Sequence, residues 1–407
     1  MAHATPALMA RDRWLARGQA GLWLGAYLIG CGATESRDAD GTSNGGEVAA
    51  PVRETAEDNP LLAGAGTGDD SASGAPGPAS PGASGMPPPS AADVASPTAP
   101  LPPEGGGNQA LEPGTLTAGA WDDNRNLDRF LEYRDELASQ QMAGLPPSEE
   151  EAHRDAATRS IEPAEHTTLD VALVIDTTGS MGDELAYLQT EFDAIASAIG
   201  AQYPSSEQRW ALIVYRDEGD EYVARTYDFG DGVEAFRARL GAQSAGGGGD
   251  YPEASHAALA AMNQLGWRSD PATARLAFWV ADAPHHTERA SEIAAAIDVA
   301  ASQDVHLYPV ASSGVDELTE YSMRAAAQLT LGRYLFLTDD SGVGGEHKEP
   351  SIPCYFVTRL DDAILRMVDI EMSGSYHEPD PAEVIRSGGD PADGACSLAS
   401  GQTVFAF

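Results

Sequence analysis

Asp176, Thr178 and Ser180 stand at two-residue spacing directly after an unbroken apolar run, Val171 to Ile175. One carboxylate and two hydroxyls are hard oxygen donors, which suit Mg²⁺ (or Ca²⁺ or Mn²⁺) and not zinc. A second acid, Asp282, follows another apolar run, Leu276 to Val280. A third, Asp250, ends the loop Ala245-Gly-Gly-Gly-Gly-Asp250. Each of these residues also has a purely structural use. A strand-end Asp with Thr and Ser behind it caps helices. Asp250 either ligates a metal or caps a helix, with Glu253 three residues on closing a capping box and Pro252 in the first turn.

Metal ligation requires an element that brings these oxygens to one place. A short apolar run closed by a polar turn is how a strand buried on both faces reads. Such strands bind ligands at their carboxyl ends in open α/β sheets. Leu185, Leu188, Phe192, Ile195 and Ile199 then recur at spacings of three and four, one stripe of a long helix. Residues 209–215 predict a second strand, and the acidic turn 216–220 leads into an antiparallel edge strand near 222–229. Further strands at 276–280, 305–310 and 334–337 alternate with helices near 287–302, 315–328 and 360–371. This alternation predicts an α/β fold: a doubly wound, mostly parallel sheet with one antiparallel edge strand and helices on both faces.

These residues resemble the von Willebrand factor A domain with a metal-ion-dependent adhesion site. That family carries Asp-x-Ser-x-Ser after its first strand, a Thr in a second loop, and an Asp closing the fourth strand. Asp176, Thr178 and Ser180 match the first element with Thr in place of the first Ser, and Asp282 matches the last. The middle element departs, because Gly249-Asp250-Tyr-Pro-Glu253 stands where the Thr is expected. The phrases Tyr215-Arg-Asp-Glu-Gly-Asp220, Leu335-Phe-Leu-Thr-Asp-Asp-Ser-Gly342 and Leu116-Thr-Ala-Gly-Ala-Trp-Asp-Asp-Asn124 further resemble a group of bacterial secreted proteins, over roughly 115–407. The resemblance implies a binding module, not an enzyme. Its metal would sit among Asp176, Thr178, Ser180, Asp282 and perforce Asp250 if that acid ligates. A carboxylate from a protein partner with an exposed acidic residue would complete the coordination.

The front of the chain reads as an address. Arg11, Arg13 and Arg17 precede a short run without charge, Ala20 to Gly30, and Cys31 follows. That is a secretory leader too short to span a membrane. Leu28-Ile-Gly-Cys31 resembles the bacterial lipobox, which implies lipidation at Cys31 and an outer-membrane lipoprotein of the cell envelope. Residues 32–114 are rich in Gly, Pro, Ala and Ser, and cannot bury enough apolar area to offset the entropy of ordering. They predict a disordered tether of about 50 Å r.m.s. span. Residues 115–165 predict a short helical segment, with Leu127, Phe130, Leu131 and Leu137 on one side of a helix at 125–141. The main domain is expected at 166–375 and a tail at 376–407.

The net charge of −39 excludes nucleic acid as a partner, because binding there comes from cationic neutralisation of phosphates. With Cys31 lipidated, Cys354 and Cys396 remain, and an exported setting favours a bridge that pins the tail. His285 and His286 follow Asp282-Ala-Pro284, but zinc needs three or four converging ligands, so they read as loop residues near the metal mouth. A rival reading makes Asp176 the nucleophile of a phosphoaspartyl-type hydrolase. That chemistry wants a lysine, and the only one, Lys348, lies in a Gly- and Glu-rich loop far along the chain. A third reading is a metal-free envelope scaffold.

Overall fold

The computed structural model describes residues 111–160, 165–230 and 232–407. The leader, Cys31 and the tether up to residue 110 lie outside the described residues. The elements run in the order β1 (Thr117–Trp121), α1 (Leu127–Ser139), α2 (Glu150–Arg159), β2 (Thr168–Asp176), α3 (Gly182–Gln202), β3 (Gln208–Tyr215), β4 (Ala224–Tyr227), α4 (Gly232–Gly241) and α5 (Ser255–Met262). Then follow β5 (Thr273–Ala281), α6 (Ala290–Ser302), β6 (His306–Ala311), α7 (Glu317–Leu329), β7 (Tyr334–Leu337), β8 (Tyr355–Arg359), α8 (Leu360–Ser373), β9 (Arg386–Gly388), β10 (Ala395–Ser397) and β11 (Thr403–Phe405).

Nine strands form one sheet in the order β4-β3-β2-β5-β6-β7-β1-β8-β9. The pairs β3–β2, β2–β5, β5–β6 and β6–β7 are parallel. The expected edge strand β4 pairs antiparallel with β3. Strand side chains alternate between two cores, as a period of two requires. Val171, Leu173 and Ile175 join Leu188 and Phe192 of α3 and Met367 of α8 on one face. Ala172 and Val174 join Leu259 of α5, Ile297 of α6 and Met323 of α7 on the other. Helices therefore cover both faces, and the central strands β2, β5, β6 and β7 between them are buried almost throughout.

The segment at 115–165 departs from the helical expectation. Its first strand, β1, is inserted between β7 and β8 and pairs antiparallel with both. The sheet thus carries three antiparallel pairings besides the β4 edge, since β9 also runs antiparallel to β8. The run Thr117-Ala-Gly-Ala-Trp121 has no polar–apolar alternation because it is buried on both faces, and so lacks the usual mark of a strand. Glu191 of α3 receives the backbone N–H groups of Gly114, Thr115 and Leu116 at 2.7, 2.8 and 3.0 Å, fixing the chain's entry to β1. Phe130, Leu131 and Leu137 of α1 pack against Tyr321 and Ala325 of α7. Cys354 and Cys396 form a disulfide with a Cα–Cα distance of 5.9 Å, which ties the β10–β11 hairpin to the start of β8. No helix among the described residues is long and apolar enough to cross a membrane.

Candidate metal centre

β2 and β5 are parallel neighbours in register, with Ile175 opposite Val280. Both chains therefore end at the same rim of the sheet. Asp176 is the last residue of β2, and Asp282 lies just beyond the end of β5. Asp176 is 0 % exposed. Its Oδ1 accepts from the Thr178 backbone N–H at 2.8 Å and from Thr178 Oγ1 at 2.7 Å. Thr178 Oγ1 lies 3.3 Å from Ser180 Oγ. The Ser180 hydroxyl in turn stands close enough to the Asp282 carboxylate to favour its ionised form. Two loops thus bring four oxygen-bearing side chains together, from residues more than a hundred positions apart.

The middle loop contributes differently from the expectation. Helix α5 starts at Ser255 with Ala254 at its N-cap, so Asp250 caps no helix and there is no capping box with Glu253. Asp250 is exposed on the rim of the cleft. The acid that reaches the interior is Glu253, only 3 % exposed. Its backbone N–H donates to Pro284 O at 2.8 Å, and Glu253 pairs with His285 as an isolated bridge. These contacts stitch the middle loop to the segment that carries Asp282. Gly248, at φ 71°, lies between Glu253 and Thr178, and a Cβ there would meet Glu253 Oε1 at 3.0 Å and Thr178 Cβ at 3.3 Å. The sequence does hold a signal for this residue: Pro252-Glu253 follows a run of glycines that lets the backbone fold back over the first loop.

Three buried carboxylate oxygens here have no hydrogen-bond partner: Asp176 Oδ2, Asp282 Oδ1 and Glu253 Oε2. Burial, and then the nearby Asp282, raises Asp176 above the ordinary carboxylate range. Asp282 is raised by its burial as well, against the Ser180 hydrogen bond. Glu253 is pushed up to about 9 by burial, then by Asp176, Asp217 and Asp282. Asp170, at the other end of β2, makes the contrast. It is equally buried, but Arg209 Nε and Arg268 Nε donate to it at 2.9 and 2.8 Å. Burial opposes its ionisation, yet the two guanidiniums outweigh that and lower it. One strand therefore carries a buried acid neutralised by arginines at one end and an unneutralised cluster at the other. Buried charges are paired or coordinate a metal, so the unpartnered oxygens fit a divalent cation. Among the described residues no cluster of three or more His, Cys, Asp or Glu stands arranged as a ready metal cage. The cradle here is mixed, hydroxyls with carboxylates, as Mg²⁺ sites that keep several waters are.

Around it opens a cleft of about 710 Å³, lined by Ser180, Asp250, Tyr251, Glu253, Asp282, Gly314, Val315, Glu346 and Lys348 among others. The fold thus carries Lys348 to the site, although its place in the sequence suggested a remote loop. Its ammonium lies 3.3 Å from Glu317 and 3.4 Å from Glu320. The histidines are fastened by other contacts. His285 is buried with Nε2 2.8 Å from Gly144 O, and His286 Nε2 lies 2.6 Å from Asp217 Oδ1.

Residues 170–342 match the family model described as von Willebrand factor A domain. No curated protein sequence matches the chain. Two similar solved structures are crystal forms of the pilus adhesin SpaC from Lactobacillus rhamnosus GG, one of them in an open conformation. They are 12 % and 10 % identical, with TM-scores of 0.32 and 0.31, over 42 % of this chain. The match spans 28 % and 27 % of the adhesin chains, little more than a quarter of their length.

Proposed function

We propose that the protein binds a protein partner through a divalent metal, Mg²⁺ or else Ca²⁺ or Mn²⁺, held at the rim formed by β2 and β5. The observation that carries this reading is the set of buried, unpartnered oxygens on Asp176, Glu253 and Asp282 beside the Thr178 and Ser180 hydroxyls. Asp176, Thr178, Ser180 and Asp282 would hold the ion, with Glu253 as the acid from the middle loop. Asp250 stays at the rim. When bound, the ion supplies a Lewis-acidic position open to a carboxylate from the partner. Thr178 orients Asp176 by occupying Oδ1, which leaves Oδ2 for the cation.

The role is binding and not catalysis. A nucleophilic Asp176 would have to meet a phosphoryl group, but it is wholly buried and half of its carboxylate is engaged by Thr178. The lysine such chemistry needs is already paired with Glu317 and Glu320. The leader and Leu28-Ile-Gly-Cys31 support an outer-membrane lipoprotein, with the binding head held at the envelope by lipid on Cys31. Isothermal calorimetry with Mg²⁺ tests the metal. The intact chain should give a saturable heat that Asp176→Ala abolishes, and equal heats for the two would end the proposal. A pull-down from envelope extract with and without EDTA then tests the metal dependence of partner binding.

A further inference from the structure

We infer that the partner segment entering this cleft is basic around a single carboxylate. This rests on the metal-dependent reading above and adds the chemistry of the partner. The charge balance comes first. Asp176, Glu253 and Asp282 carry three negative charges when ionised, and a divalent ion cancels two, leaving one in excess. Two more acids, Asp250 and Glu346, stand exposed on the walls of the same cleft. The one cation in the lining, Lys348, already faces Glu317 and Glu320 at 3.3 and 3.4 Å. The loaded cleft therefore stays negative, on a chain whose net charge is −39.

The acids are more than a solvated face. Glu253 and Asp282, 3 % and 5 % exposed, line the cleft and keep one carboxylate oxygen each without a partner. A ligand is thus called for at the floor, and the rim sets what may accompany it. A segment carrying only acids would be repelled on approach and would leave Asp250 and Glu346 facing like charge. A segment with Lys or Arg beside its one carboxylate meets both. Tyr251 suits such a segment further. The residue is 46 % exposed at the mouth, while its hydroxyl donates to Gly314 O at 2.6 Å and holds the ring in place. A guanidinium stacks favourably on a fixed aromatic face.

The test is selection from a bead-displayed random nonapeptide library with the full chain, in Mg²⁺ and in EDTA. Retained peptides should pair one Asp or Glu with enriched Lys and Arg, and EDTA should release them. For one retained peptide, the double substitution Asp250→Asn with Glu346→Gln should weaken binding about tenfold, the loss expected for two exposed charge pairs. Both side chains are exposed, so the fold does not depend on them. Peptides retained without basic enrichment, no retained peptide at all, or an affinity untouched by the double substitution would overturn the inference, while Mg²⁺ heats judge the metal reading separately. Basic peptides that EDTA fails to release would overturn the metal reading and the single-carboxylate requirement with it.

Discussion

Asp170 and Asp176 sit six residues apart on one strand, equally buried, and differ in what neutralises them. Arginines pair with the first, and nothing but hydroxyls and an amide reaches the second. Glu253 is unneutralised in the same way, and its Oε2 has no partner at all. Replacing it should therefore have opposite effects with and without metal. Burial forces Glu253 to take up a proton on folding at neutral pH, a cost that Glu253→Gln removes, so the metal-free protein should become more stable in urea unfolding. It also removes a donor from the cation, so Mg²⁺ affinity in calorimetry should fall by at least about tenfold, the lower bound seen even for outer-sphere partners. An unchanged Mg²⁺ affinity would remove Glu253 from the site.

At the scale of elements, β1 decides how much of the chain is one folding unit. It fills the gap between β7 and β8, with Gly119 opposite Phe336 and Val357. A chain beginning at residue 166 would leave two strand edges unpaired inside the sheet, and such edges invite aggregation. The expected result is loss of cooperative unfolding by circular dichroism, whereas a chain beginning at 111 should keep it. Gly119 tests the same junction by a single change. A Cβ there would lie 2.2 Å from Phe336 Cζ, so Gly119→Ala should cost about 1–3 kcal/mol through overpacking, read as a lower urea midpoint. The Cys354–Cys396 bridge closes a loop with a sequence separation of 42, which in the chain-entropy model is worth at most about 4 kcal/mol. Reducing it should lower the melting temperature without moving the Mg²⁺ heat, since the bridge lies at β8 and not at the rim of β2 and β5.

For the whole molecule, the acid cluster links metal, pH and stability. Asp176, Asp282 and Glu253 are all raised in the folded state. Carboxyls raised on folding hold more protons folded than unfolded. Their favourable contribution is complete below the unfolded carboxylate range near 4 and is lost as pH rises through the folded values, about 9 for Glu253. In EDTA, melting temperature should accordingly fall across neutral pH, and the slope should flatten in Glu253→Gln. With Mg²⁺ at a hundred times its Kd, stability should gain about 2.7 kcal/mol over the metal-free chain at neutral pH. A melting curve in EDTA with the same pH slope in wild type and Glu253→Gln would contradict this account.

What the sequence alone determined is local. The strand ending in Asp176-x-Thr-x-Ser180, the stripe of α3, the edge strand β4 and the acid after β5 all follow from neighbours within a turn or two, and side-chain period makes them legible. Two features were settled only in three dimensions. β1 has no periodicity to read, and its partners lie more than two hundred residues away, so its place depends on long-range pairing that no local pattern encodes. The choice of Glu253 over Asp250 depends on the backbone path through Gly247 and Gly248, both at positive φ, and on the bond from Glu253 N–H to Pro284 O. Composition identifies a loop rich in glycine and acid, but only the path of that loop over the sheet rim decides which carboxylate is buried against its neighbours.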